Sequence, residues 1–317
     1  MTFSIVARDA STGDLGVAVQ SKFLAVGAVV PWARAGVGAV ATQAFANVGY
    51  GPDGLSLLAG GATAGAALAR LIAVDDIVAE RQIGIVDARG GSASHTGGRC
   101  FAWAGGRTGP DFAAQGNILA GATVVDGLAD TFLAGGQPFP ELLIASLAAA
   151  DAAGGDRRGR ESAALLVVRE GGGYGGGNDR WVDLRVDHHD DPIGELGRLL
   201  ALQHLYVDRP AVADLEALDE TTATDIRTML QKLDAGPGSR LGAVYAPMSG
   251  EAPASADTAS RPFVGEPRPF PAGWDDTWQG ALLAWMAVEN LEGRATAPGW
   301  IDPRVLDVLR RRAATVP

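Results

Sequence analysis

The sequence is poor in cysteine, lysine and aromatic residues, and it has no long hydrophobic run. Its single cysteine, Cys100, excludes an intramolecular disulfide and a cysteine-built metal site. The thiol reads as a small buried hydrophobe. No stretch approaches the roughly 18 apolar residues of a membrane-spanning helix. No basic segment followed by an apolar core marks a signal peptide. Positive charge is also scarce: 26 Lys and Arg face 37 Asp and Glu, a net charge of −11. That balance argues against nucleic acid and anionic membrane surfaces as partners, because both recruit basic patches. A cytoplasmic protein is expected. Lysine occurs only as Lys22 and Lys232. Against a background of arginine, glycine and alanine that fits a GC-rich bacterial genome, Lys22 stands out.

Apolar residues make up 47% of the 317 positions and charged residues 20%, enough to build a sizeable core. The length predicts about two domains. Strand-like alternation starts at once in "TFSIVAR": Phe3, Ile5 and Ala7 on one face, Thr2, Ser4 and Val6 on the other. A turn rich in Asp, Ser and Gly leads into "LGVAVQS", which together predict a hairpin. Two more strands are read between residues 26 and 45, joined near Pro31–Gly36. Residues 51–76 have a helical apolar period. "RQIGIVDARGGSASHTGG" reads as strand, turn, strand, continuing through 100–104, and "DFAAQGNILAG" as a polar knot before a helix. A second helix, "PFPELLIASLAAADAAGG", ends on a Gly pair. "SAALLVVRE" and "RWVDLRVDHH" are strands flanking a Gly-rich tip, and "PIGELGRLLALQHLY" is a helix with Pro in its first turn.

Strands grouped in hairpins and paired helices predict an α+β protein with antiparallel sheets covered by helices, not a βαβ parallel sheet. Beyond Tyr206 the texture becomes helical. Thr222 is read as the N-cap of one helix, residues 235–273 as a Pro/Gly-rich loop, and two helices close the chain. The domains are set at 1–205 and 206–317. Trp274, Trp278, Trp285 and Trp300 all fall in the second; Trp at helical spacing reads as core before it reads as a sugar-stacking platform.

Chemistry points to the second residue. Initiator Met is removed when the next residue is small. Thr2 would then carry a free α-amine beside its hydroxyl. A hydroxyl needs an adjacent base to become a nucleophile, and an α-amine with a pKa near 8 supplies one from the same residue. Ser4, on the same face, is the alternative hydroxyl.

The order of elements resembles the N-terminal-nucleophile (Ntn) hydrolases, proteasome β subunits among them. "TFSIVARD", "GVAVQSKF", "VPWARAGVGAVATQ", "QGNILAG", "GGDRRGRESAAL" and "DLRVDHHDDP" resemble, in order, the DUF1028 family of Ntn-hydrolase-like proteins over residues 1–205. The tail, with "VENLEGR" and "IDPRVLDVLR", is similar to a peptidoglycan-binding-like domain. The resemblance implies a four-layer αββα sandwich with Thr2 as nucleophile. It implies Gln20 where proteasome-like relatives carry Asp; an amide orients but takes no proton. Lys22 would face the same side as Gln20 and lower the amine pKa. Gln115, Gly116 and Asn117 would form a turn beside Thr2 that supplies oxyanion donors. Asp156 would hold the α-amine or orient Thr2, and Ser162 would hydrogen-bond the amine. Arg158 and Arg160 would meet a substrate carboxylate, with Thr42 and Gln43 at the same edge.

Two other patterns carry less. In "DHHDD" (187–191), adjacent strand residues point to opposite faces, so His188 and His189 do not easily share an ion. "GGGYGGG" lacks the Lys-Ser/Thr of a phosphate loop and reads as a hairpin tip. No metal and no cofactor is expected. The expected function is an amidohydrolase that cleaves a small amide or peptide-like substrate through an acyl-Thr2 intermediate, as a homo-oligomer. The alternatives are a non-catalytic scaffold binding a small molecule or cell-wall fragment, and a plain structural role.

Overall fold

The alternation at the chain start folds into β1 (Thr2–Arg8), which pairs antiparallel with β2 (Leu15–Ser21). The structure, a computed structural model, describes residues 2–239 and 263–316. Its contacts divide the chain into two units, Met1–Ala201 and Leu202–Pro317.

In the first unit, β3 (Pro31–Arg34), β4 (Gly38–Ala44), β5 (Arg81–Asp87) and β6 (Ser92–Thr96) form a four-stranded antiparallel sheet. β7 (Gly105–Gly109), β8 (Phe112–Asn117), β9 (Ser162–Val168) and β10 (Arg180–Val186) join the first hairpin in a six-stranded sheet of order β10-β9-β2-β1-β8-β7. β1 is therefore central, with Thr2 opposite Ser21 on one side and Asn117 on the other.

The period-two pattern sorts the strand faces into layers. Phe3, Ile5, Ala18, Ala114 and Leu165 pack against α3 (Ala122–Ala134), α4 (Phe139–Ala152) and α5 (Pro192–Tyr206). Val6, Val17, Val19, Ala39, Ala41 and Val86 fill the space between the sheets. Val40, Ile83 and Ile85 pack on α1 (Tyr50–Ala59) and α2 (Ala64–Ala73). The result is the expected four-layer αββα sandwich.

The second unit holds the short pair β11 (Glu216–Ala217) and β12 (Trp300–Ile301), with α6 (Glu220–Lys232), α7 (Asp276–Val288) and α8 (Pro303–Thr315). Trp274 and Trp285 belong to its core. Asp219 is the N-cap of α6, its side chain accepting from the Thr222 N–H, so the cap lies three residues before the one expected.

Other local expectations change too. Residues 112–117 are a fully buried strand, not a polar knot: Phe112, Ala114 and Gly116 face the helices while Ala113, Gln115 and Asn117 face the other sheet. Residues 100–104 are not strand; the next strand begins at Gly105. The helical period over 51–76 belongs to two helices, because the chain turns at Gly60–Gly61, where Gly61 has φ 89°. The unit boundary at 201/202 and the expected one at 205/206 both fall within α5. Most of the expected 235–273 loop, residues 240–262, lies outside the described residues, as does Met1. Among the described residues, no helix is long and apolar enough to cross a membrane.

Candidate active site

A layer of polar side chains is buried between the sheets at the Thr2 end of β1. Thr2 is 7% exposed, and its Oγ1 lies 3.0 Å from Ser21 Oγ. Ser4 Oγ donates to Gln43 Oε1 (2.6 Å) and accepts from Gln115 Nε2 (2.7 Å). Gln43 Nε2 donates to Gln82 Oε1 (2.8 Å) and lies 3.4 Å from the Thr2 carbonyl. Gln82 Oε1 also accepts from Asn117 Nδ2 at 2.9 Å.

The orientation of these amides follows from backbone chemistry. Gln82 Nε2 faces the carbonyls of Gly116 (2.7 Å) and Gly105 (3.3 Å), which accept only. The amide group must therefore be the donor there, and Oε1 must point at Gln43 and Asn117. One N–H of Asn117 is thereby committed to Gln82. Ser4 is completely buried with its hydroxyl engaged twice. Of the two candidate hydroxyls on this face, Thr2 is the one with residual exposure.

Register separates the other predicted residues. Gln43, Gln115 and Asn117 join this layer. Gln20 pairs with Phe3 and lies on the opposite, helix-facing side of the sheet, where both its side-chain polar atoms lack a partner among the described residues. Lys22 lies just beyond the end of β2, and its Nζ bonds Glu161 (2.6 Å) and the Arg160 carbonyl (2.9 Å). Asp156 is buried and accepts from the Lys22 and Arg158 N–H groups, which rivets its loop to the end of β2. Ser162 shares the Thr2 face but binds the Phe23 carbonyl and the Val26 N–H. Gly116 is the penultimate residue of β8, paired with Phe3, instead of sitting in a turn, and Leu119 occupies the space a Cβ would need. Thr42 turns away from Thr2 and donates to the Asn47 carbonyl (3.0 Å). Arg158 and Arg160 are matched by Asp156 and Asp151. In the DHHDD run, His188 bonds Glu161 and His189 accepts from the Asp191 N–H.

A second polar hub stands beside the layer. Asp75 accepts from Arg81 Nε (2.8 Å), Tyr50 Oη (2.7 Å), Asn47 Nδ2 (3.2 Å) and the Ile77 N–H (2.9 Å). Burial alone would raise the Asp75 pKa, but these donors outweigh it and hold the carboxyl well below its usual range. Burial and the bond to Asp75 push the Tyr50 phenol up. Arg81 also donates to the Phe45 carbonyl, two residues past Gln43. Two open clefts mark the surface of this unit, one of about 330 Å³ beside Tyr50 and Asp75 and one of about 520 Å³ beside Asp156 and Arg160. Thr2 lines neither.

Comparison with known families places this architecture. Residues 2–196 match the model described as "Family of unknown function (DUF1028)", so the match begins at Thr2 and ends in α5. The chain belongs to the DUF1028 family. A crystallised DUF1028 protein, SPO2555 from Silicibacter pomeroyi, is 32% identical, with a TM-score of 0.59, over 64% of this chain and 89% of its own. Residues 266–309 match the model described as "Putative peptidoglycan binding domain". No curated protein matches.

Within this DUF1028 unit, sequence reasoning missed Gln82 and Ser21. Gln82 sits in a strand that reads as apolar, and its place follows only from the β4–β5 register that sets it opposite Gln43. Ser21 was within reach: hairpin register alone puts it opposite Thr2.

Proposed function

We propose that this protein is an N-terminal-nucleophile amidohydrolase acting on a small amide. The observation that carries the reading is the setting of Thr2. Its hydroxyl and carbonyl touch Ser21 and Gln43, which lead to Ser4, Gln82, Gln115 and Asn117. All are hydroxyls or neutral amides, which position groups but do not take protons near neutrality. The base that activates the hydroxyl is then the α-amine of Thr2 itself, released by removal of Met1.

In the reaction, Thr2 Oγ1 passes its proton to the neutral α-amine and bonds to the amide carbonyl carbon. Backbone N–H groups at the strand ends and the Asn117 side-chain amide stabilise the oxyanion. The C–N bond breaks, the amine returns the proton to the leaving nitrogen, and an acyl ester on Thr2 remains. Water attacks the ester, the α-amine accepts its proton, and the carboxylic acid leaves as Thr2 regains its hydroxyl.

Intact mass of the untagged protein tests the first requirement: the expected mass lacks Met1. A screen of simple amides follows, with Thr2→Ala expected inactive and Thr2→Ser expected to retain turnover. Retained Met1 overturns the reading and selects a non-catalytic scaffold. The match of residues 266–309 favours a cell-wall fragment as the ligand of such a scaffold.

A further inference from the structure

The chain segments leaving the site strands carry an unusual load of exposed apolar side chains. Phe23 and Leu24 follow β2, Phe45 and Val48 follow β4, and Phe101 lies in the loop after β6; each is between 51 and 76% exposed. Their placement follows the Thr2 partners. Phe23 is two residues past Ser21, which bonds the Thr2 hydroxyl. Phe45 is two residues past Gln43, which reaches the Thr2 carbonyl. The Phe101 carbonyl accepts from the Ile118 N–H, next to Asn117 across from Thr2.

This rim is held. Ala25, Ala44 and Ile118, all at these exits, take left-handed backbone (φ 53°, 66° and 52°), which is strained for residues with a Cβ and most of all for a β-branched one. Ala44 aims Phe45, whose ring lies 5.4 Å from the Arg81 guanidinium. Arg81 is itself buried and pinned by Asp75. Four cations flanking the rim are internally matched: Lys22 by Glu161, Arg81 by Asp75, Arg158 by Asp156 and Arg160 by Asp151; Arg157, whose N–H bonds the Ile118 carbonyl, is exposed and has no ion pair among the described residues. Such an edge offers apolar surface to a ligand, with most of the surrounding charge already paired.

We infer that the rim of Phe23, Phe45 and Phe101 is a specificity subsite for a neutral amide bearing an aryl or branched alkyl group, with its carbonyl at Thr2. The inference rests on the hydrolase reading for the position of the carbonyl. A second copy of the chain is the competing occupant, but one seated here would cover the approach to Thr2 that the hydrolase reading requires.

The test uses full-length Thr2→Ala, which binds without turnover, and calorimetric titration with phenylacetamide, isovaleramide, acetamide and succinamic acid. Phenylacetamide and isovaleramide are expected to bind about tenfold or more tightly than acetamide, the ratio that follows from burying a few additional apolar carbons. Phe45→Ala and Phe101→Ala are expected to remove that advantage. Tyr174→Ala, an exposed aromatic at the Gly-rich tip, leaves it intact. The substituted side chains are exposed, and melting curves check that each variant folds. Equal binding of all probes, no binding, or tightest binding of succinamic acid overturns the inference. So does a sedimentation shift from dimer to monomer on Phe45→Ala, which makes the rim a subunit interface. Retained Met1 with intact aryl preference would sink the hydrolase reading alone. Acylation of Thr2 without aryl preference would sink only the subsite.

Discussion

Gln20 and Gln82 are both glutamines with buried side chains, Gln20 toward the helices and Gln82 between the sheets, and their situations are opposite. Gln82 has every polar direction used: it donates to the Gly116 carbonyl and Thr96 and accepts from Gln43 and Asn117. Gln82→Ala strands several buried groups, each costing about 1–3 kcal/mol. A loss of at least about 3 kcal/mol in chemical denaturation is expected, with loss of any Thr2 reactivity. Gln20 has neither side-chain atom bonded among the described residues. Gln20→Met keeps the volume and removes the unpaired polar atoms. It is expected to stabilise the fold by about 1–2 kcal/mol; destabilisation would show that Gln20 has a partner in solution. Nothing in one sequence distinguishes these two residues. The string "VAVQS" draws attention to Gln20, while "RQIGIVD" looks like ordinary core strand. Pairing register between distant segments makes the difference, and that register is invisible locally.

At the scale of elements, short polar hubs hold the turns against the sheets. Asp87 accepts from the N–H groups of Ala64, Arg89 and Gly91, joining the start of α2 to the β5–β6 turn. Asp87→Ala leaves these donors without it, and a loss of about 2–4 kcal/mol is expected in thermal or urea unfolding. Asp75 does the same for the segment before β5, and it adds a pH dependence. Its folded pKa is depressed, so its contribution is full above the unfolded carboxylate range near 4 and is lost as pH falls below it. The Tm difference between the protein and Asp75→Asn is therefore expected to be large at pH 7 and to shrink below about pH 4. Most elements were legible, because alternation and helical period report which face is buried. β8 was the costly miss. "FAAQGN" has one large apolar residue followed only by small and polar ones, in a strand buried on both faces, so it lacks the apolar alternation that marks a half-exposed strand. Calling it a turn hid the neighbour of β1 that brings Asn117 to Thr2.

At the scale of the whole chain, the two units are joined in sequence through α5, whose Ile193, Leu196 and Leu200 belong to the first core. A chain ending at Tyr206 is expected to unfold in one cooperative transition, and one ending at Asp191 to lose that cooperativity, as read by circular dichroism. In the second unit Arg294 is 2% exposed; it bonds Asp302 at 2.6 Å and the carbonyls of His204 and Asp208. Composition shows that a second unit exists, but it does not show that one arginine joins the end of α5 to the start of α8.

The buried amide layer has one more use. Gln43, Gln82, Gln115 and Asn117 each carry a side-chain NH2 in a distinct, water-shielded setting. In a nitrogen–proton correlation spectrum, such groups give dispersed, slowly exchanging pairs set apart from the crowded signals of surface amides. A ligand arriving at Thr2 would perturb the Gln43 and Asn117 pairs first. The site thus contains its own spectroscopic reporter, able to register occupancy independently of turnover.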